Sequence, residues 1–243
     1  MRILIGFSYN GSNYSGFQRQ NNAKTIQQTI EDAFMKKLGQ NIELTATGRT
    51  DAGVHALCQY AHFDAEISFA PEKLVPIAKN ILPSDIKVFF AKQVDETFNA
   101  RKQVKKKTYM YVFNKEEKDL PFLENLTTFL EGDVDEQKMI QSSKKLIGTH
   151  NFKAFCSAGS SVRDFERTIY DISIESTKSR LVFKVTGNGF LYNMVRIIVG
   201  TLIDIGKGII MPENIDKMLE TCDRAYGGRT AKPNGLYLYN IEY

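Results

Sequence analysis

The sequence predicts a mixed α/β (α+β) fold of two similar halves, each a sheet with helices packed on one face. Segments of period-two alternation recur along the 243 residues, and stretches of helical period with capping residues stand between them. The order strand, loop, helix, strand occurs in both halves, which is the pattern of an α/β layer. Identity between the halves is too weak to establish an internal repeat by itself.

Residues 1–8 enter a strand at once, and Tyr9-Asn10-Gly11-Ser12-Asn13 supplies turn residues. Thr25-Ile26-Gln27-Gln28 is a capping-box pattern; Ile26, Ile30, Ala33, Phe34 and Leu38 then line one helix face, and Gly39 stops the helix. Residues 42–47 alternate apolar and polar and residues 58–63 read as the next strand, so Asp51 belongs to a loop between two strands. A second helix covers 74–81, with Pro76 near its start and Pro83 at its end, and 86–91 is a further strand. In the second half 107–114 is a strand, and Asp133-Val134-Asp135-Glu136 opens a helix that runs to about Leu146. Strands follow at 168–176 and 181–186, Gly187-Asn188-Gly189 reads as a hairpin turn, and a long helix begins at Phe190 and ends at Gly206. The division falls near residues 100 to 106, where a Lys-rich segment interrupts the apolar patterning, giving halves of residues 1–104, with the Asp51 loop, and 105–243.

Composition removes several classes of function. With 42% hydrophobic residues the chain buries a substantial core. Its longest apolar run, at 197–203, is far short of the roughly 20 residues a membrane span needs. The first residues show no cleavable leader, so the cytoplasm is the expected compartment. Cys58, Cys156 and Cys222 are odd in number and widely spaced, and His55, His62 and His150 lack ligand spacing, so neither a disulfide framework nor a metal site is expected. No Walker loop, dinucleotide fingerprint or zinc-deaminase pattern is present, which leaves a reaction without cofactor. The net charge of +4 permits an anionic partner without demanding one.

Three places carry candidate chemistry. In Gly48-Arg49-Thr50-Asp51-Ala52-Gly53-Val54-His55-Ala56 a single carboxylate stands between a cation and a glycine, which makes Asp51 a candidate nucleophile; Asp beside Gly is also ordinary turn chemistry. Arg196 sits among Met194, Val195, Ile197, Ile198 and Val199, and a guanidinium near a core needs a carboxylate, because an unpaired internal charge costs several kcal/mol. Snorkelling from the helix surface, or pairing with Asp204 or Glu213, satisfies it equally well on the residues alone. Tyr109 and Tyr111 share one strand face and follow Arg101, Lys102, Lys105, Lys106 and Lys107. Tyrosines at that spacing usually pack a core, and a Lys run is by default a solvated face. Aromatics beside a basic run also stack on unpaired bases while the cations hold phosphates, and the place between the halves favours an RNA-binding cleft.

The nine-residue string as a whole resembles the signature of the tRNA pseudouridine synthase A family, and four further segments extend the resemblance over nearly the whole chain. Residues 9–20 resemble its N-terminal motif, with Asn10 for a commoner Asp and Phe17 where Trp is also common. Phe98-Asn99-Ala100-Arg101 with Lys107-Thr108-Tyr109-Met110-Tyr111 resembles its central motif, with Asn99 for His and Lys107 for Arg, and residues 190–200 and Gly235-Leu236-Tyr237-Leu238 resemble two C-terminal motifs. The resemblance implies that Asp51 is the nucleophile, that Tyr109 stacks on the target uracil, that Arg49 helps displace and hold the base, and that Arg196 pairs with Asp51; Lys107 and Arg101 are substrate-binding candidates. It implies a cofactor-free, metal-free isomerisation of uridine to pseudouridine in the anticodon stem-loop of tRNA, at positions 38, 39 and 40, by a homodimer. A noncatalytic RNA-binding protein and a carboxylate-dependent nucleoside hydrolase are the alternatives from other classes.

Overall fold

The computed structural model describes residues 1–116, 121–159 and 162–243. By contact these divide into two compact units, one of Met1–Lys105 with Tyr237–Tyr243 and the other of Lys106–Leu236.

The first unit is built on β1 (Arg2–Tyr9), which pairs antiparallel with both β3 (His55–Asp64) and β4 (Ile86–Val94). The closing strand, β10 (Leu236–Glu242), lies parallel to β3 with Tyr237 opposite His55, which is why the end of the chain groups with its beginning. Helix α1 (Ile26–Leu38) is capped by Thr25, whose hydroxyl accepts the Gln28 N–H, and ends at Gly39 in the left-handed region. Its Ile26, Ile30 and Phe34 are fully buried, and Phe34 stacks on Phe63 of β3 at 5.8 Å. Ile3 is registered with Phe63 and Ile5 with Ala61, so these residues share the face that α1 covers. Helix α2 (Leu74–Ile81) buries Leu74 and Ala78 and packs on β4.

The strand expected at 42–47 shrinks to β2 (Thr45–Ala46). Ile42 and Leu44 are buried as their alternation requires, but the Leu44 N–H goes to the buried Glu31 carboxylate at 2.7 Å rather than into a ladder. Alternation marked burial here, and a side chain took over the backbone bond.

The second unit carries the antiparallel order β5 (Lys106–Asn114), β9 (Arg180–Gly187), β8 (Glu166–Ser176) and β7 (Gly148–Asn151), with β6 (Thr128–Phe129) added parallel on β5. Helices α3 (Glu136–Ser143), α4 (Met194–Gly206) and α5 (Glu213–Thr221) complete it. In α4 every residue but Arg196 is buried. The residues 187–189 are not a hairpin turn. The β8–β9 hairpin closes at Thr177, which bonds Arg180, while Asn188 extends the ladder by exchanging bonds with Thr168 and leads on to α4. That helix starts at Met194, four residues later than its apolar pattern suggests. The chain is thus a mixed α/β protein, and no helix among the described residues is long and apolar enough to cross a membrane.

Candidate active site

Asp51 opens a tight turn: its carbonyl accepts the Val54 N–H at 3.1 Å, and Gly53 takes the positive φ of +76° that such a turn needs. The turn is clamped from three sides. Thr50 receives the Phe17 N–H on its carbonyl at 3.0 Å and shares a 2.8 Å hydrogen bond between its hydroxyl and the Tyr9 phenol. Gln59 on β3 donates to the Gly48 carbonyl at 2.9 Å. Gly11 donates its N–H to His55 Nδ1 at 3.0 Å and lies so close that a Cβ there would meet the Val54 carbonyl oxygen at 2.0 Å. Residues 9–17 and 48–56, two separate motifs in the sequence, are therefore one packed body that fixes Asp51. Asn10 acts within it as an acceptor, its Oδ1 taking the Ser12 N–H at 3.0 Å and hydroxyl at 2.6 Å, a role open to Asp as well. The Tyr9 phenol is buried, and burial raises its pKa, so it stays a neutral partner for Thr50.

In the second unit, β5 carries Lys107, Tyr109 and Tyr111 along one face. Tyr111 is fully buried; its hydroxyl contacts Thr128 Oγ1 and donates to the Lys232 carbonyl, both at 2.7 Å, and burial pushes its pKa up to about 12. It is a core residue. Tyr109 is only partly buried, and Phe190 meets its ring edge-on at 5.2 Å. Phe190 occupies the space that a side chain at Gly187 would fill, since a Cβ there would stand 3.2 Å from its ring. Arg196 is partly exposed on α4 and is held in plane: Nε donates to the Ala231 carbonyl and Nη1 to Asn193 Oδ1, both at 2.7 Å. Asp204, one of its alternative partners, instead receives the N–H and Nε of Arg229, each at 2.8 Å.

The cations expected to touch substrate are at the surface. Arg49 is exposed on the Asp51 loop, and Arg101, Lys102, Lys105 and Lys106 are exposed while Lys107 is partly buried. Asn99 caps its turn by accepting the Arg101 and Lys102 N–H groups at 3.0 Å. Lys106 lies over the Tyr170 ring at 5.5 Å. Asn193, Ser157, Phe190 and the 227–231 loop escaped the sequence reading as supports of the site. Asn193 and Phe190 lie inside a motif that was noticed, and an Asn directly before a helix is the signal that marks the first.

The first unit thus fixes a carboxylate-bearing residue on a rigid turn, and the second holds a partly buried tyrosine and an oriented guanidinium. A family model described as tRNA pseudouridine synthase matches residues 6–101 and 143–243. Relatives named tRNA pseudouridine synthase A include one from Thermoanaerobacter sp. (strain X514), 40% identical over 241 residues and covering 99% of each chain. Another, from Staphylococcus carnosus (strain TM300), is 41% identical over 99% of this chain and 90% of the relative, and that of Bacillus subtilis (strain 168) is 40% identical over 100% and 99%. The chain belongs to the tRNA pseudouridine synthase A family, and it is an isomerase of that class. A chain of the solved Cbf5-Nop10-Gar1 complex aligns at 15% identity and a TM-score of 0.38 over 82% of this chain and 54% of its own, too slight a likeness to inform the fold.

Proposed function

We propose that this chain converts uridine to pseudouridine in the anticodon stem-loop of tRNA, at positions 38, 39 and 40, with Asp51 as nucleophile. The observation that carries the reading is the clamped turn that presents Asp51 inside a family signature. The bond from N1 of the base to the sugar breaks, the base turns, C5 bonds to the same sugar carbon, and the proton displaced from C5 leaves to solvent while N1 ends protonated. Nothing is oxidised or consumed. Asp51 attacks either the sugar or C6 of the base, and both routes need it ionised. Arg196 serves that need by pairing with it, since a neighbouring cation favours the carboxylate form. Tyr109 stacks on the flipped uracil and offsets part of the lost base stacking, worth roughly 1–3 kcal/mol. Arg49 holds the displaced base, and Arg101 and Lys107 contact the RNA backbone. The enzyme is a cytoplasmic homodimer in this reading, which light scattering on the purified protein tests for the dimer.

Release of tritium from tRNA labelled at uracil C5 tests the activity directly. Wild-type protein should release it in step with pseudouridine formation, while Asp51→Asn should release none and keep tRNA affinity within about a few-fold, because the substitution keeps the shape and removes the nucleophile. Substantial turnover by pure Asp51→Asn sinks the nucleophile assignment. Free uracil as product indicates a hydrolase, and unchanged function of every kind without Asp51 indicates a noncatalytic RNA-binding protein.

A further inference from the structure

Asn193 occupies the N-cap of α4 but does not behave as a cap. An N-cap residue has extended backbone and spends its side-chain oxygen on an N–H of the first turn. Asn193 instead stands at φ 60° and ψ 7°, in the left-handed region, and makes no side-chain cap hydrogen bond. Its Oδ1 accepts Nη1–H of Arg196 at 2.7 Å, and its Nδ2 donates to Ser157 Oγ at 2.9 Å. Ser157 is itself tied back by its N–H to the Tyr192 carbonyl at 3.1 Å. The amide is therefore oriented from both ends: Ser157 takes the NH₂ side, so the oxygen faces the guanidinium. On the other edge of that guanidinium Nε bonds the Ala231 carbonyl, while the Ala231 N–H returns to the Arg196 carbonyl at 3.0 Å.

A left-handed non-glycine residue and an unused cap both cost stability. Here that cost coincides with a hydrogen bond to one charged group, which is the pattern of a residue kept for geometry. We propose that Asn193 is a positioning residue for the isomerisation: with Ser157 behind it, it fixes the plane and direction of the Arg196 guanidinium. The inference rests on the reading that Arg196 sustains the ionised Asp51.

Asn193→Gly separates geometry from folding, because glycine takes φ near +60° without strain and only the amide is lost. The single-turnover rate on C5-tritiated tRNA should fall about tenfold, with tRNA affinity within about twofold and Tm within about two degrees of wild type. The acid limb of the pH–rate profile should move to higher pH, since a misaimed cation lowers the carboxylate pKa less. In an Arg196→Ala background, Asn193→Gly should add no further loss. A wild-type rate and pH profile for Asn193→Gly, or an equal loss in both backgrounds, overturns the proposal. If Arg196→Ala is itself fully active, the Arg196 reading falls and takes the proposal with it. If Arg196→Ala is slow and Asn193→Gly is fast, the positioning role alone is wrong.

Discussion

Tyr109 and Tyr111 stand two residues apart on one face of β5, yet their surroundings divide their work. Tyr111 is sealed in the core with its hydroxyl bonded twice, whereas Tyr109 is only partly buried and meets Phe190 edge-on. Alternation assigns both the same direction, because it encodes direction and not depth. If Tyr109 stacks on the base, Tyr109→Ala should lower single-turnover rates by between about five-fold and about 150-fold, the range that about 1–3 kcal/mol spans, and Tyr109→Phe should be well tolerated. A large loss with Phe instead assigns the hydroxyl a proton-transfer role, and full activity with Ala makes Tyr109 a packing residue. His62 shows the same division of labour among histidines. Its Nδ1 accepts the Ala100 N–H at 3.1 Å, and burial, followed by the charge of Arg2, holds its pKa below the ordinary value. The unfolded chain thus binds this proton more readily, so stability is intact above the unfolded value near 6.5 and falls as pH drops through it toward the lower folded value. Tm measured from pH 8 to pH 5 should fall below about 6.5, and His62→Asn, which keeps an acceptor for Ala100, should lessen that fall. Parallel curves for the two proteins would show that other groups govern the acid limb.

At the scale of elements, α4 and the 227–231 loop act as one piece. The Gly228 N–H bonds Thr201 Oγ1 at 3.1 Å, Asp204 takes the Arg229 N–H, and Ala231 donates its N–H to the Arg196 carbonyl while its own carbonyl accepts Arg196 Nε–H on the same helix. Gly200 permits this closeness, for a Cβ there would lie 1.8 Å from the Arg229 carbonyl oxygen. Gly200→Ala should therefore cost roughly 1–3 kcal/mol of stability through overpacking and slow the chemistry by shifting the Ala231 carbonyl off Arg196. Chemical denaturation alongside single-turnover assays checks both parts, and wild-type behaviour in each would mean that the loop yields freely. Such a contact leaves no trace in periodicity, which explains what was and was not legible. Helices α1 and α2 and strands β1, β4, β5, β8 and β9 were evident from capping residues and alternation within their own segments. By contrast β6 and β7 are only two and four residues long, α5 is short and polar, and all three depend on neighbours supplied by the tertiary fold. The start of α4 was read early because Phe190 and Leu191 extend its apolar run, although Phe190 packs beside Tyr109 from a loop. The candidate residues stand out by type and spacing alone, whereas the clamp around Asp51 joins partners some forty positions apart and needed the fold.

On the whole molecule a net charge of +4 spread over 243 residues makes a weak field, so affinity for a polyanion depends on where the cations gather. The gathering is local: Arg101, Lys102, Lys105 and Lys106 are exposed within six positions along the chain, and the run crosses the division between the two units. Cations that neutralise phosphates release counterions, and each such contact steepens the fall of log affinity with log salt by roughly 0.7 to 0.9. If Lys105 and Lys106 both meet the RNA backbone, replacing the pair with Ala should flatten that slope by roughly 1.4 to 1.8 and weaken tRNA binding most at low salt. Saturated turnover should stay near wild type if both side chains act on the RNA backbone alone. Lys107 stands apart: it is partly buried, two residues before Tyr109 on the same face, so Lys107→Ala should lower turnover as well as affinity. Binding isotherms across a salt series, paired with single-turnover rates at saturating enzyme, distinguish the two roles. A slope unchanged by the double substitution would make this run an ordinary solvated face and send the RNA along another surface.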